Sequence, residues 1–200
     1  WYCAYHVENL QLGNLMEYKD KLPRDKMMEI VEDLAEMGTK AVTFSGGGEP
    51  LIYPHIAEAA TKLGRSGIKI ASLTNGSHLH NEIAEAFATY GTWIRVSIDG
   101  WNAESYAKIR NVKITEFDLV INNMRNFADL NSSCVLGVNY VIDNENYGHV
   151  FEFSKLMKDA GVNHFKVMGV IVSNDGKKSN DYHDPIRERV QEQIAQAKDL

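Results

Sequence analysis

Trp93-Ile94-Arg95-Val96-Ser97-Ile98-Asp99-Gly100 sets Ile94, Val96 and Ile98 on one side of an extended chain and Arg95, Ser97 and Asp99 on the other, because successive side chains of a strand point to opposite faces. One face is apolar and the other polar. The same division recurs at Val42 and Phe44 against Thr43 and Ser45, and at Leu136, Val138 and Tyr140 against Gly137 and Asn139. A sheet held between two helix layers reads apolar on both faces. A wide or incomplete barrel around a polar lumen fits the alternation better, and polar groups in such a lumen need partners that a bound ligand can supply.

The flanking sequence supplies the other layers. Behind Asp25, read as an N-cap, Met27, Ile30, Val31, Leu34 and Met37 recur at helical spacing up to Gly38. Further strands are expected at 41–45, 68–74, 134–142 and 164–172, besides 93–98. Helices are expected at 54–63, around Ile83 to Ala88, twice within 103–130, and from Val150 to Ala160. Residues 4–24 read as an irregular loop and 173–184 as a polar loop, after which Ile186, Val190, Ile194 and Ala197 form a helical stripe. Five strands alternating with helices imply an α/β fold with a parallel sheet and right-handed crossovers.

Composition narrows the class. Two hundred residues, 44% hydrophobic and 24% charged, suit one soluble domain with a proper core. No stretch has the apolar length of a membrane span. A net charge of -6 without a dense basic cluster argues against nucleic acid and toward small molecules or peptides. Only Cys3 and Cys134 are present, which points away from a disulfide framework and toward the cytoplasm. The opening Trp1-Tyr2-Cys3 shows no basic leader ahead of an apolar segment.

The chemistry gathers at the carboxyl ends of the strands, where ligands collect in barrels and open α/β sheets alike. Ser45-Gly46-Gly47-Gly48-Glu49-Pro50 ends one strand, Thr74-Asn75-Gly76 the next and Ser97-Ile98-Asp99-Gly100 the third, with Asn139 late in the fourth. Consecutive glycines suit either a sharp strand-to-helix turn or a close approach of backbone to a ligand. Asn-Gly and Asp-Gly alone are common turns; their recurrence on one rim favours binding. Glu49 is an acceptor for an ammonium group and repels phosphate. His6, His78 and His80 read as solvated and His183 as part of an exposed loop, while Tyr5, Trp93 and Trp101 read as packing. Arg95 and Asn139 suggest a polar substrate.

In this order, Trp1-Tyr2-Cys3, Phe44 to Pro50, Leu73 to Gly76 and Val96 to Gly100 resemble the radical S-adenosylmethionine (radical SAM) enzymes over nearly the whole chain. The branch resembled includes the molybdenum-cofactor enzyme and peptide-modifying enzymes with C-terminal auxiliary-cluster domains. The resemblance implies a partial parallel (β/α)6 TIM-like barrel whose first strand is missing, so that residues 1–200 form a single core-domain fragment and 173–200 lead to an absent C-terminal region. It implies a Cys-x-x-x-Cys-x-x-Cys loop with Cys3 as the third ligand of a 4Fe-4S cluster, the other two falling before residue 1. A single thiolate cannot hold such a cluster, and Cys134 is expected in the core.

For the second cofactor, S-adenosylmethionine (SAM), the resemblance implies contacts of the loop Gly46, Gly47, Gly48, Glu49 and Pro50 with the amino group. Ser97 and Asp99 would meet the ribose, and Thr74, Asn75 and Asn139 the SAM or substrate. The backbone around Tyr2 and at Gly169-Val170 would meet the adenine. One electron from the cluster, delivered by a flavodoxin- or ferredoxin-type donor, would cleave SAM to methionine and a 5′-deoxyadenosyl radical that takes hydrogen from a small-molecule or peptide substrate. A parallel-barrel aldolase or isomerase is the alternative enzyme, disfavoured by Glu49 and by the choice of only Lys69 and Lys166 for a Schiff base. A cluster-less binding scaffold is the third.

Overall fold

The computed structural model describes residues 17, 20–46, 48–173 and 175–200. Strands β1 (Ala41–Phe44), β2 (Lys69–Thr74), β3 (Gly91–Ser97), β4 (Val135–Ile142) and β5 (His164–Gly169) pair in parallel in the order β1-β2-β3-β4-β5. In a sheet of sequential order every right-handed crossover returns on the same side. The helices therefore collect on one face, whereas a doubly wound sheet reverses its order midway and is covered on both. This is the incomplete barrel that the alternation of β3 predicts.

The helices are α1 (Arg24–Glu36), α2 (Ile56–Arg65), α3 (Asn81–Tyr90), α4 (Ala103–Arg110), α5 (Thr115–Asp129), α6 (Val150–Asp159), α7 (Gly176–His183) and α8 (Arg187–Ala197). Beneath them Ile70, Ile94, Val96, Val138 and Tyr140 are buried completely, as are Phe87, Val120, Met124 and Phe153 from the helix side. Tyr140 stacks on Phe153 with ring centres 4.7 Å apart. On the lumen side Thr43, Leu73, Arg95, Ser97, Asn139 and Lys166 keep part or much of their surface in the open. Among the described residues no helix is long and apolar enough to cross a membrane.

Three elements differ from expectation, the first being β5, which ends at Gly169 rather than at residue 172. Helix α1 starts at Arg24, with Pro23 (φ -58°) at the N-cap and Asp25 inside the first turn; proline's fixed φ suits a helix entry, and Asp25 there favours the positive end of the helix dipole. The segment expected as polar loop contains α7, whose N-cap Asp175 accepts a hydrogen bond from Lys177 N. No residue of α7 is buried, so it has no apolar stripe for a periodicity reading to detect.

The contact of α2 with α3 closes on Gly64, where a Cβ would sit 2.4 Å from Tyr90 Cβ. Alanine favours a helix by about 1 kcal/mol over glycine, while overpacking a filled contact costs about 1–3 kcal/mol. Gly64→Ala is therefore expected to lower stability despite its better helix propensity, read as a lower urea midpoint with an unchanged slope.

Candidate functional site

Strand β1 delivers the chain to the rim at Ser45 and Gly46. Gly46 has φ +140°, a conformation that L side chains rarely adopt. A Cβ on Gly46 or on Gly48 would meet nothing within 4 Å, so packing does not call for either glycine. Both border a cavity of about 360 Å³, walled also by Lys21, Ile52 and Tyr53. Bare backbone on such a cavity is a surface that a ligand can approach closely. Gly47 lies outside the described residues, as do Tyr2 and Cys3.

Glu49 joins two strand ends. Its Oε1 accepts from Leu51 N at 3.0 Å and from Thr74 Oγ1 at 2.5 Å, and its Oε2 accepts from Asn75 N at 2.6 Å. The first bond caps the 3₁₀ turn Pro50–Ile52. A carboxylate offers about four lone-pair sites, so little acceptor capacity remains for the expected ammonium. Thr74 is 4% exposed and its hydroxyl also accepts from Gly76 N; it belongs to the wall. Asn75 turns its Oδ1 onto Ser77 N and Oγ.

Strand β3 ends in a second junction. Asp99 is 1% exposed; its Oδ2 accepts from Arg110 Nη2 at 2.6 Å and its Oδ1 from Val141 N at 3.1 Å. The Asp99 carbonyl accepts from Asn146 Nδ2, which also donates to Val141 O. Asn146 is itself locked by Asp143, whose Oδ1 accepts from Asn146 N while Asp143 N donates to Asn146 Oδ1. The Asp99 carboxylate thus points into the wall, while Ser97, also expected at the ribose, keeps part of its surface on the lumen side. Ser97 Oγ accepts from Arg110 Nη2 at 3.0 Å, which leaves its proton to donate to a ligand. Its strand partner Asn139 shares the lumen face.

The expected adenine contact at Gly169-Val170 is engaged by α7. Val170 N donates to Ile142 O, and His183 Nε2 lies 2.8 Å from Val170 O. A Cβ on Gly169 would meet that imidazole at 2.8 Å. His183, expected in an exposed loop, instead covers the end of β5. Trp101 packs on His149, rings parallel within 3° at 4.0 Å.

Arg110 and Asn146 are not marked by the sequence reading, and His183 is placed by it in an exposed loop. Asp143 to Asn146 carries the spacing of a side-chain-closed turn, a readable signal; Arg110, eleven residues from Asp99 in sequence and on another element, carries none. Among the described residues no group of three or more His, Cys, Asp or Glu side chains could hold a metal ion. Cys134 is 4% exposed, and burial pushes its thiol up to about 12, which denies it the thiolate that ligation needs.

Residues 1–157 match the Radical SAM superfamily. The S-adenosylmethionine-dependent nucleotide dehydratase of Flammeovirga pacifica is 38% identical over 87 residues, 44% of this chain and 30% of that protein. The AdoMet-dependent heme synthase of Methanosarcina barkeri is 26% identical over 172 residues, 85% of this chain and 48% of that protein. The crystal structure of Streptococcus suis SuiB bound to S-adenosylmethionine shares the fold with a TM-score of 0.62 at 19% identity, over 88% of this chain and 43% of that one. The chain spans less than half the length of each.

Two outcomes follow from the wall roles. Removing one partner of a buried ion pair costs about 3–5 kcal/mol, so Asp99→Ala should cost that much in chemical denaturation, while Ser97→Ala costs under about 1 kcal/mol; equal costs would refute the division. Cys134 is neutral in the native state up to about pH 12, whereas an unfolded thiol ionises near pH 9. Its contribution to stability is therefore intact below pH 9 and lost above it, at about 1.4 kcal/mol per pH unit. Cys134→Ala should flatten that alkaline decline, and Ellman's reagent at pH 8 should label Cys134 only after denaturant is added.

Proposed function

The chain belongs to the radical SAM superfamily, and from that premise we propose that the whole protein cleaves SAM reductively to start hydrogen abstraction from its substrate. The observation that carries this is the bare backbone at Gly46 and Gly48: a Cβ there would enter open space, so the wall leaves room for a ligand. The dehydratase and the heme synthase both use S-adenosylmethionine by name, which supports the same cofactor here.

The residues present fit the amino-acid end of SAM. Gly46 and Gly48 would offer carbonyls to its ammonium, with Gly47 in the same loop and Pro50 holding the exit. Glu49 fixes that loop to β2 through Thr74 and Asn75. Ser97 would donate to a ribose hydroxyl with its oxygen steadied by Arg110, and Asn139 extends the polar edge beside it. Cys3 would supply one of three thiolates to a 4Fe-4S cluster, and Tyr2 with Gly169-Val170 would border the adenine. A cluster held there would supply the electron that breaks the sulfur–carbon bond of SAM, releasing methionine and leaving the adenosyl part to take a hydrogen atom from the substrate. The lumen around Arg95 and Asn139 orients a small-molecule or peptide substrate and keeps water from the reaction. A flavodoxin- or ferredoxin-type protein in the cytoplasm would deliver the electron.

Anaerobic reconstitution of the full-length protein with iron and sulfide, followed by a chemical reductant, should form 5′-deoxyadenosine, and Cys3→Ala should abolish it. Gly48→Val should weaken SAM binding by about tenfold, or about 1.4 kcal/mol, with an unchanged melting midpoint, because the side chain enters only the ligand's space. Deoxyadenosine formation by the Cys3 variant, or undiminished SAM binding by the Gly48 variant, would refute the assignment.

A further inference from the structure

The lumen face of the sheet carries charge of one sign. Register places Arg95 beside Gly137 and Gly137 beside His164, and one step toward the carboxyl ends Ser97 beside Asn139 and Asn139 beside Lys166. Lys69 lies on the same face, further back along β2. No strand residue on this face is Asp or Glu, although the chain as a whole has a net charge of -6. Among the described residues no carboxylate forms an ion pair with Arg95 or Lys166. Arg95 Cζ lies over the Trp93 ring, 5.2 Å from its centre, a contact that orients the guanidinium while leaving its charge uncompensated.

Gly137 sits in the middle of this row without a structural reason. Its φ is not positive, and a Cβ would find His164 O at 3.4 Å, Ile94 O at 3.5 Å and His164 Nδ1 at 3.6 Å, ordinary contact distances. A glycine inside a strand weakens it and commonly marks a place of close approach. Here it opens a notch of about 240 Å³ walled by Trp93, Arg95, Val135 and His164. Strand spacing puts the Cα atoms of Arg95 and His164 about 10 Å apart across the notch, a gap that an arginine side chain and a small anion can bridge.

We infer that an anionic group of the substrate, a phosphate or a carboxylate, binds at this notch over Gly137, held by Arg95 in its wall and reached by Lys166 from one register step toward the carboxyl ends. This rests on reading the lumen as the substrate chamber. The fork of Arg95 suits either group through paired N–H bonds, Lys166 adds a mobile ammonium, and the side-chain amide of Asn139 adds a neutral donor.

Calorimetric titration of the full chain with tripolyphosphate and, separately, with citrate tests this, each at low salt. Saturable one-site binding of either anion is expected, the tighter of the two naming phosphate or carboxylate as the source. Arg95→Gln, Lys166→Gln and Gly137→Val should each weaken it about tenfold. The first two change exposed or half-exposed positions and should keep the wild-type melting midpoint, and Gly137→Ala, whose Cβ has room, should not lower it and serves as the control for the bulkier valine. No saturable binding of either anion, or wild-type affinity retained by the variants, overturns the inference. Titration with SAM on the same sample separates the two readings: a protein that binds SAM and neither anion refutes this inference, and one that binds an anion and not SAM supports it while refuting the function proposed above.

Discussion

Asp99 carries a negative charge into a place that is 1% exposed, and an ion so placed persists only where its partners are fixed around it. Those partners come from three elements. Arg110 ends α4, Val141 belongs to β4, and Asn146 follows β4 and holds the Asp99 carbonyl. Satisfying one carboxylate therefore sets where β3, β4 and α4 end relative to one another. Glu49 performs the same task at the neighbouring junction, drawing the ends of β1 and β2 together through Leu51, Thr74 and Asn75. The rim is built by these two acids, and the glycine loop is held open between well-fixed points.

This changes what the polar rim means. Thr74, Asp99 and much of Glu49 are committed to the wall, whereas Ser97 and Asn139 lie on the lumen face and the backbone of Gly46 and Gly48 borders open space. Polar character at a strand end therefore identifies the rim without saying which way each side chain points. The second question is answered by partners distant in sequence, here Arg110 and Asn146.

The fold was legible because one periodicity decided it. Ile94, Val96 and Ile98 against Arg95 and Ser97 requires one buried and one open face, and the observed strand order delivers that, with Asp99 beyond the strand turning into the wall. The glycine run and the acid after it were legible for a similar reason, since few local structures need such residues in succession. Two kinds of feature were hidden. Helix α7 contributes no buried residue, so it left no apolar trace. The contacts of His183 with Val170 and of Arg110 with Asp99 are made at separations of 13 and 11 residues by side chains common on any surface, and only the folded chain reveals them. Family resemblance supplied what neither periodicity nor spacing contains, the class of cofactor proposed for the site.

Arg95, Asn139 and Lys166 occupy the lumen face, and their side chains take no part in the hydrogen bonds that fix the rim. Replacing them leaves the stitching of Asp99 and Glu49 untouched. The residues proposed to meet the substrate can therefore be exchanged one position at a time without first gaining stability elsewhere. A barrel whose strength lies in its wall is free to change its diet.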